Sequence, residues 1–341
     1  MNISVKGWCP GVLRPMESGD GLIVRVRPWC GAFSLREAKG LADAAEKFGN
    51  GLLDLTRRAN LQIRGVTTAT LPDLQKALGD LGMLDEDAES EAARNVVVGP
   101  FAGPQARALA AELSRTLVNG PGPHGWPAKF GWLVDDIAMP SILDRPADVA
   151  FCLMPEGVAL RVAGQWLGIA PPDRAIDAAL GERPALAPLP CVPTVSRVPM
   201  GIAAPFGRLE ATQFRDLLSL AAKAGAVEVR LSPWRALYFD TAVTGADELG
   251  FIVDEDDPLL RIDACPGAPS CRSSTVDTRR DARRIVARGF AGTVHISGCA
   301  KGCARSAPAD LVLIGENGRY GMVAGGTTRD RIEGYIEPDQ L

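Results

Sequence analysis

Eight cysteines and two histidines are the residues of this chain best suited to metal or redox chemistry. Four of the cysteines come in two close pairs. Cys265 and Cys271 enclose five residues in C-P-G-A-P-S-C, and Cys299 and Cys303 enclose three in G-C-A-K-G-C. Gly and Pro crowd both pairs (Pro266, Gly267, Pro269, Gly298, Gly302), which lets backbone turn tightly and approach a bulky object. Four thiolates at two loop tips are the usual ligand set of a [4Fe-4S] cluster. Structural zinc prefers more closely spaced pairs, and the five-residue gap suits it poorly. Disulfides suit short secreted chains, and residues 1–10 carry no apolar signal segment. Burial of four unrelated cysteines stays open as a third reading, since a free Cys packs as a small hydrophobe.

The other candidates are weaker. Cys9, Cys30, Cys152 and Cys191 have no partner at metal spacing and are expected to be structural. His295 sits four residues before Cys299, where it could donate a hydrogen bond near a cluster or guard a proton path. A lone His on a strand is more often an ordinary core residue. His124 lies in a Gly/Pro loop, P-G-P-H-G-W, and is expected at the surface. No G-x-G-x-x-G follows a strand to open a helix, so a built-in nicotinamide site has no support. No Cys–His spacing points to a cysteine nucleophile.

The elements that must position the cysteines are legible around them. A helix over 275–287, a strand over 293–297 and a final strand over 310–314 surround the two pairs. Toward the N-terminus, residues 21–28 alternate as a strand, and Ser34-Leu35-Arg36-Glu37 is a capping box that opens a helix to Phe48. A strand over 51–56, the basic stretch from Arg57 to Val66 and a helix over 71–81 complete a small α+β unit. A shift of 176 positions brings Leu41 onto Leu217, Ala45 onto Ala221, Gly49 onto Gly225 and Leu55 onto Leu231. A helix over 212–224 and a strand over 227–231 therefore repeat the first unit, which is the signature of an internal duplication. Between the two units lie R-N-V-V-V-G-P-F-A-G at 94–103, a helix over 105–117, W-P-A-K-F-G-W-L-V-D-D at 126–136, and strands over 149–153 and 158–162.

With 341 residues the chain holds two or three domains' worth of core. The Pro-rich segment 184–199 is the natural linker between halves 1–183 and 200–341. Each half divides again, into 1–85 and 86–183, then 200–250 and the cysteine-bearing 251–341. A net charge of −4 offers no argument for a nucleic-acid partner, and no apolar run approaches membrane-spanning length. Eight cysteines without a secretory signal point to a reducing, cytoplasmic setting.

T-R-R-A-N-L-Q-I-R-G-V at 56–66, R-N-V at 94–96, K-F at 129–130, C-x5-C at 265–271 and G-C-x3-C at 298–303 stand in the order seen in the sulfite and nitrite reductases. The resemblance spans nearly the whole chain. It implies an internally duplicated α+β fold with ferredoxin-like half-domains and a C-terminal iron–sulfur domain. In that family the last cysteine bridges a [4Fe-4S] cluster to the iron of sirohaem. C-P-G at 9–11, P-M-E-S-G-D-G-L at 15–22 and P-A-K-F-G-W at 127–132 resemble the precorrin-3B synthase branch, which belongs to oxygen-dependent cobalamin synthesis. That likeness implies a monooxygenase acting on precorrin-3A with O2, fed by an external reductase or carrier and ultimately by NAD(P)H.

A reductase of this family grips its oxyanion with an R-K-F/W segment and, in the sulfite reductases, a second lysine just after the aromatic. Here Ala128 replaces the Arg and Gly131 the second Lys, and each lost cation removes a charge-assisted bond worth about 1.5–3 kcal/mol. Arg58 and Arg94 match motif positions, Arg64 lies further along the same strand, and Lys129 survives. Guanidinium forks bind carboxylates bidentately, so these four are the expected contacts to a carboxylate-ringed tetrapyrrole. The competing view is that they are solvated surface charges. Oxygen chemistry makes a mononuclear non-haem iron attractive, with Asp20, Asn60 or Asp135 as candidate ligands. A 2-His-1-carboxylate triad would consume both histidines and is not expected. A sirohaem-dependent reductase and a non-catalytic iron–sulfur or tetrapyrrole-binding protein are the alternative functions.

Overall fold

The computed structural model describes residues 8–119, 127, 129–137, 141–181, 186–190 and 201–341. The first segment forms β1 (Met16–Ser18), β2 (Gly21–Val26), β3 (Ala32–Ser34), α1 (Leu35–Phe48), β4 (Leu52–Leu55), β5 (Leu61–Val66), α2 (Leu71–Asp80) and α3 (Ala88–Ala93). The capping box at Ser34 is present: Ser34 Oγ accepts from the Glu37 amide at 3.2 Å, and Glu37 Oε2 accepts from the Ser34 amide at 2.7 Å. This satisfies two otherwise unpaired donors, and α1 buries Ala38, Leu41, Ala42 and Ala45.

The next segment gives β6 (Val96–Val98), α4 (Pro104–Asn119), β7 (Trp132–Asp136), β8 (Val149–Met154), β9 (Gly157–Val162), β10 (Gln165–Ala170) and α5 (Ala175–Leu180). Then come β11 (Ile202–Ala203), β12 (Arg208–Glu210), α6 (Ala211–Lys223), β13 (Glu228–Leu231) and β14 (Ala236–Phe239). The last part holds β15 (Ile262–Ala264), α7 (Thr278–Ala287), β16 (Val294–Ser297), β17 (Ala309–Glu316), β18 (Arg319–Gly326) and β19 (Gly334–Ile336). The strand expected to be final is followed by two more, because Asn317-Gly318 turns β17 back into β18.

The strands form four sheets. Two of them, β1-β2-β5-β4-β12 and β11-β14-β13-β3, trade strands: β12 pairs with β4, and β3 pairs with β13. Helices α1 and α6 pack together between them in one apolar core. The other two sheets have matching orders, β10-β9-β8-β7-β6 and β19-β18-β17-β16-β15. In each, the first three strands in chain order run parallel and the last two antiparallel. The 176-residue shift places the β4–β5 turn on the β13–β14 turn, and both carry a left-handed residue, Ala59 (φ 51°) and Arg235 (φ 60°). Residues 191–199 of the Pro-rich segment, with Cys191, lie outside the described residues, as do His124 and Ala128.

Candidate iron–sulfur and tetrapyrrole site

Parallel strands end their side-by-side run at the same level, and the loops that leave them meet there. Cys265 directly follows β15, and Ser297-Gly298-Cys299 closes β16. The Cys265 amide donates to Ile296 O at 3.2 Å, and its carbonyl accepts from Thr278 Oγ1 at 2.6 Å. The Gly298 amide donates to Cys265 Sγ at 3.1 Å, and Ser297 Oγ donates to Cys299 O at 2.6 Å. Glycine is required at 298, because a Cβ there would stand 2.2 Å from Ser274 Oγ. Gly302 is constrained as well, with φ +62° and a Cβ that would stand 2.5 Å from Thr328 Oγ1.

The first half of the chain clamps this loop. Ser270 O accepts from the Gly19 amide (3.1 Å), Ser18 Oγ (2.7 Å) and Arg64 Nη2 (3.0 Å). All four cysteines line one open cavity of about 440 Å³ between the β1–β2–β5 surface and the ends of β15 and β16. Burial pushes the Cys299 thiol up, and the neighbouring Cys271 and Cys265 add to the push. Four thiolates this close repel one another unless a cationic core lies between them, which is what an iron–sulfur cluster provides. Among the described residues no three His, Cys, Asp or Glu side chains converge tightly enough for one metal ion.

The cavity's other wall is cationic. Arg25 on β2, Arg57 and Arg58 in the β4–β5 turn, Arg235 in the β13–β14 turn and Arg279 on α7 all line it. Arg25 Nη1 and Arg235 Nε are buried with no protein partner among the described residues. Buried guanidinium N–H groups left unpaired are costly, so a carboxylate-bearing ligand fits this wall. Asp263 sets two of these arginines, pairing with Arg57 and with Arg235 at 3.5 Å, and it also holds Arg305, outside the cavity, at 3.1 Å.

The four expected tetrapyrrole contacts separate. Arg58 lines the cavity, and its Nη1 and Nη2 donate to Lys129 O, each at 3.3 Å. Lys129 itself is exposed and its side chain does not line the cavity. Arg64 also lines the cavity but is 1% exposed and fully engaged, with Asp20 (2.6 and 2.9 Å), Asp54 (3.2 Å), Ser18 and Ser270. It ties the sheet to the cysteine loop rather than offering a free fork. Arg94 lies outside the cavity: Asp85 takes it bidentately at 2.9 and 2.8 Å, and its guanidinium stacks 4.1 Å from the Trp29 ring. Its motif position serves packing.

The iron-ligand candidates do not assemble. Asp20 is committed to Arg64, Asn60 is buried in the β4–β5 turn, and Asp135 sits on β7 of another sheet, accepting from Ser141 Oγ and the Ile142 amide. The residues present do not fit a mononuclear iron. His295 is fully buried beside Asp263 on the neighbouring strand, and burial, opposed by Asp263, lowers it to about 4. It is a neutral imidazole beneath the arginines. Cys152 is a core residue, whereas Cys9 lines the cavity next to Arg25.

Arg25 and Arg235 belong to no motif, yet the sequence carries a signal for each. Val24 and Val26 are core residues of β2, so strand alternation puts Arg25 on the opposite face. Arg235 occupies the duplicated counterpart of Ala59 in a motif turn.

A family model, the nitrite/sulfite reductase ferredoxin-like half domain, matches residues 14–81. A precorrin-3B synthase from a Sinorhizobium species is 30% identical, the match covering 98% of this chain and 86% of the relative. A ferredoxin-type sulfite reductase of Mycobacterium tuberculosis is 22% identical over 89% of this chain and 72% of its own. The solved structure of the Mycobacterium tuberculosis NirA protein shares the fold, with a TM-score of 0.71 and 19% identity over 94% of this chain and 78% of that one. No helix among the described residues is long and apolar enough to cross a membrane. The chain belongs to the precorrin-3B synthases, an oxidoreductase branch of the nitrite/sulfite reductase family.

Proposed function

We propose that the protein is a monooxygenase of aerobic cobalamin synthesis that hydroxylates precorrin-3A at C20 and closes a γ-lactone from the ring A acetate. One atom of O2 enters the product and the other leaves as water. Two electrons and two protons come from an external reductase or carrier, ultimately NAD(P)H. The observation that carries this reading is one cavity faced by four cysteine sulfurs and by guanidinium groups with unpaired N–H bonds.

Cys265, Cys271, Cys299 and Cys303 would hold the [4Fe-4S] cluster, which supplies one-electron transfer when bound. Arg25, Arg57, Arg58 and Arg235 would take the acetate and propionate groups as charge-assisted pairs. Asp263 orients Arg57 and Arg235 from below, and Arg64 holds the cysteine loop at a fixed distance from that wall. His295 stays neutral at physiological pH and adds no charge beneath the arginines.

Sirohaem-dependent reduction of sulfite or nitrite is the second reading, supported by the match to the mycobacterial sulfite reductase. Against it stands Gly131, whose Cβ position lies 3.9 Å from Arg58 Nη1 and bears no cation. The test is a single-turnover incubation of anaerobically purified protein with precorrin-3A, reductant and ¹⁸O2. One ¹⁸O atom in the product supports the monooxygenase. Sulfite or nitrite consumption by protein carrying sirohaem would move it to the reductases, and no turnover with either substrate class would leave a binding protein.

A further inference from the structure

Behind the cysteine loop lies a second cavity of about 620 Å³, separate from the one just described. Arg208, Arg279, Arg280 and Arg283 face it, against two carboxylates, Glu210 and Asp277. Both carboxylates already serve as helix caps. Glu210 caps α6, and Asp277 Oδ1 accepts from the Arg280 amide at 3.2 Å at the start of α7. The N-termini of these two helices, of 13 and 10 residues, open on the same space with their partial positive charge already met by these caps, which leaves the arginines as its cationic lining.

The independent sign of a ligand is Arg279. Its residue is 9% exposed; Nη2 reaches Asp54 Oδ1 at 3.2 Å, while Nε and Nη1 have no protein partner among the described residues. Burial lowers its pKa to about 10, so it remains charged at neutral pH. Arg280 and Arg283 are exposed on the solvent side of the cavity, Arg280 held loosely by Asp281 at 3.4 Å and Arg283 lying 5.2 Å over the Phe206 ring.

We propose that this cavity is an oxyanion site for the phosphate of a small phosphorylated molecule. Planar forks from Arg279, Arg280 and Arg283 match a tetrahedral dianion. The volume lies in the range of small-ligand pockets, and Leu249, Pro266 and Pro269 give the rest of such a ligand an apolar wall. Phe206, Pro266 and Arg279 border both cavities, so the bound phosphate would sit across one side-chain layer from the cysteine cavity. The proposal does not rest on the monooxygenase reading, because binding is measured without turnover.

Isothermal titration of the anaerobically purified holoprotein with inorganic phosphate and with flavin mononucleotide tests it. Saturable binding is expected. Arg280→Ala/Arg283→Ala should weaken it at least tenfold, with cluster absorbance unchanged as the control for folding, and Arg58→Ala should leave it within twofold. Equal affinities identify free phosphate as the ligand source, and tighter mononucleotide binding identifies a nucleotide. No saturable binding of either probe overturns the proposal. So does binding that survives the double substitution, or that is lost in Arg58→Ala, which would put the anion in the other cavity.

Discussion

The sheets β10-β9-β8-β7-β6 and β19-β18-β17-β16-β15 repeat one pattern of parallel and antiparallel pairings, yet their strand ends carry different chemistry. After β15 and β16 come Cys265 and Gly298-Cys299. After β6 the chain enters Gly99-Pro100-Phe101-Ala102-Gly103, and β7 ends in Asp135 and Asp136. There the loops are held by carboxylates: Asp136 Oδ2 accepts from the Gly103 amide at 2.6 Å, and Asp135 Oδ2 from the Ile142 amide at 2.7 Å. Gly99 packs so close that a Cβ would stand 2.1 Å from Asp135 Oδ1. One copy closes its loops with protein hydrogen bonds. The other presents sulfur at the same place, on loops held by Thr278, Ser297 and the Ser18–Gly19 clamp. The topology permits either outcome, and the residues at two strand ends decide.

The largest break in this comparison comes from the cysteines. Cys299→Ser should lose nearly all iron and acid-labile sulfide, whereas Asp136→Ala, in the equivalent region of the other sheet, should keep both in full. Metal and sulfide analysis reads the difference, and a Ser variant with full content removes the cluster assignment.

Next in size is Asp54, which binds Arg64, Arg208 and Arg279 together beside the cysteine cavity. Asp54→Asn leaves three guanidiniums without their shared anion and should cost about 3–5 kcal/mol, read as a fall in denaturation midpoint. Burial alone would raise the Asp54 pKa, but Arg279, Arg208 and Arg64 hold it well below the usual carboxylate range. Its stabilisation is therefore present above the ordinary carboxylate pKa of about 4 and fades only as the pH falls below that.

Asp135, in the sheet without the cysteine pairs, has the opposite sign. Burial raises it to about 6 against the hydrogen bond from Ile142. The folded state then holds a proton that the unfolded chain has released, so wild type loses stability between about pH 4 and pH 6. Asp135→Asn should gain on wild type by about 3 kcal/mol across that window. Parallel pH dependences for the two proteins would contradict the assignment.

The smallest effect belongs to the ligand wall. Arg58→Ala should weaken tetrapyrrole binding by about 1.5–3 kcal/mol, with the cluster spectrum unchanged. Unaltered binding, measured by fluorescence quenching, would return Arg58 to the solvated surface.

Much of this was legible because it depends on spacing. The cysteine pairs, the Ser34 capping box and the 176-residue repeat are local or periodic signals. The roles of the arginines are not, because they depend on distant partners. Arg64 is consumed by Asp20, 44 positions away, and by the Ser270 carbonyl, 206 positions away. Arg25 on β2 and Arg27 just past its end stand two residues apart, yet Arg27 is buried on Glu91 while Arg25 faces the cavity. Strands β18 and β19 were missed because Gly-rich segments such as 325–326 give little alternation to recognise.

The most direct test of the central claim is the visible spectrum of anaerobically purified protein, taken with its iron and acid-labile sulfide content. A broad iron–sulfur absorption with roughly four irons and four sulfides per chain, and no macrocycle bands, is the predicted result. It places the cluster in the protein and leaves the tetrapyrrole as substrate. Absence of sulfide would contradict the cluster, and strong bands extractable as sirohaem would contradict the substrate role of the macrocycle.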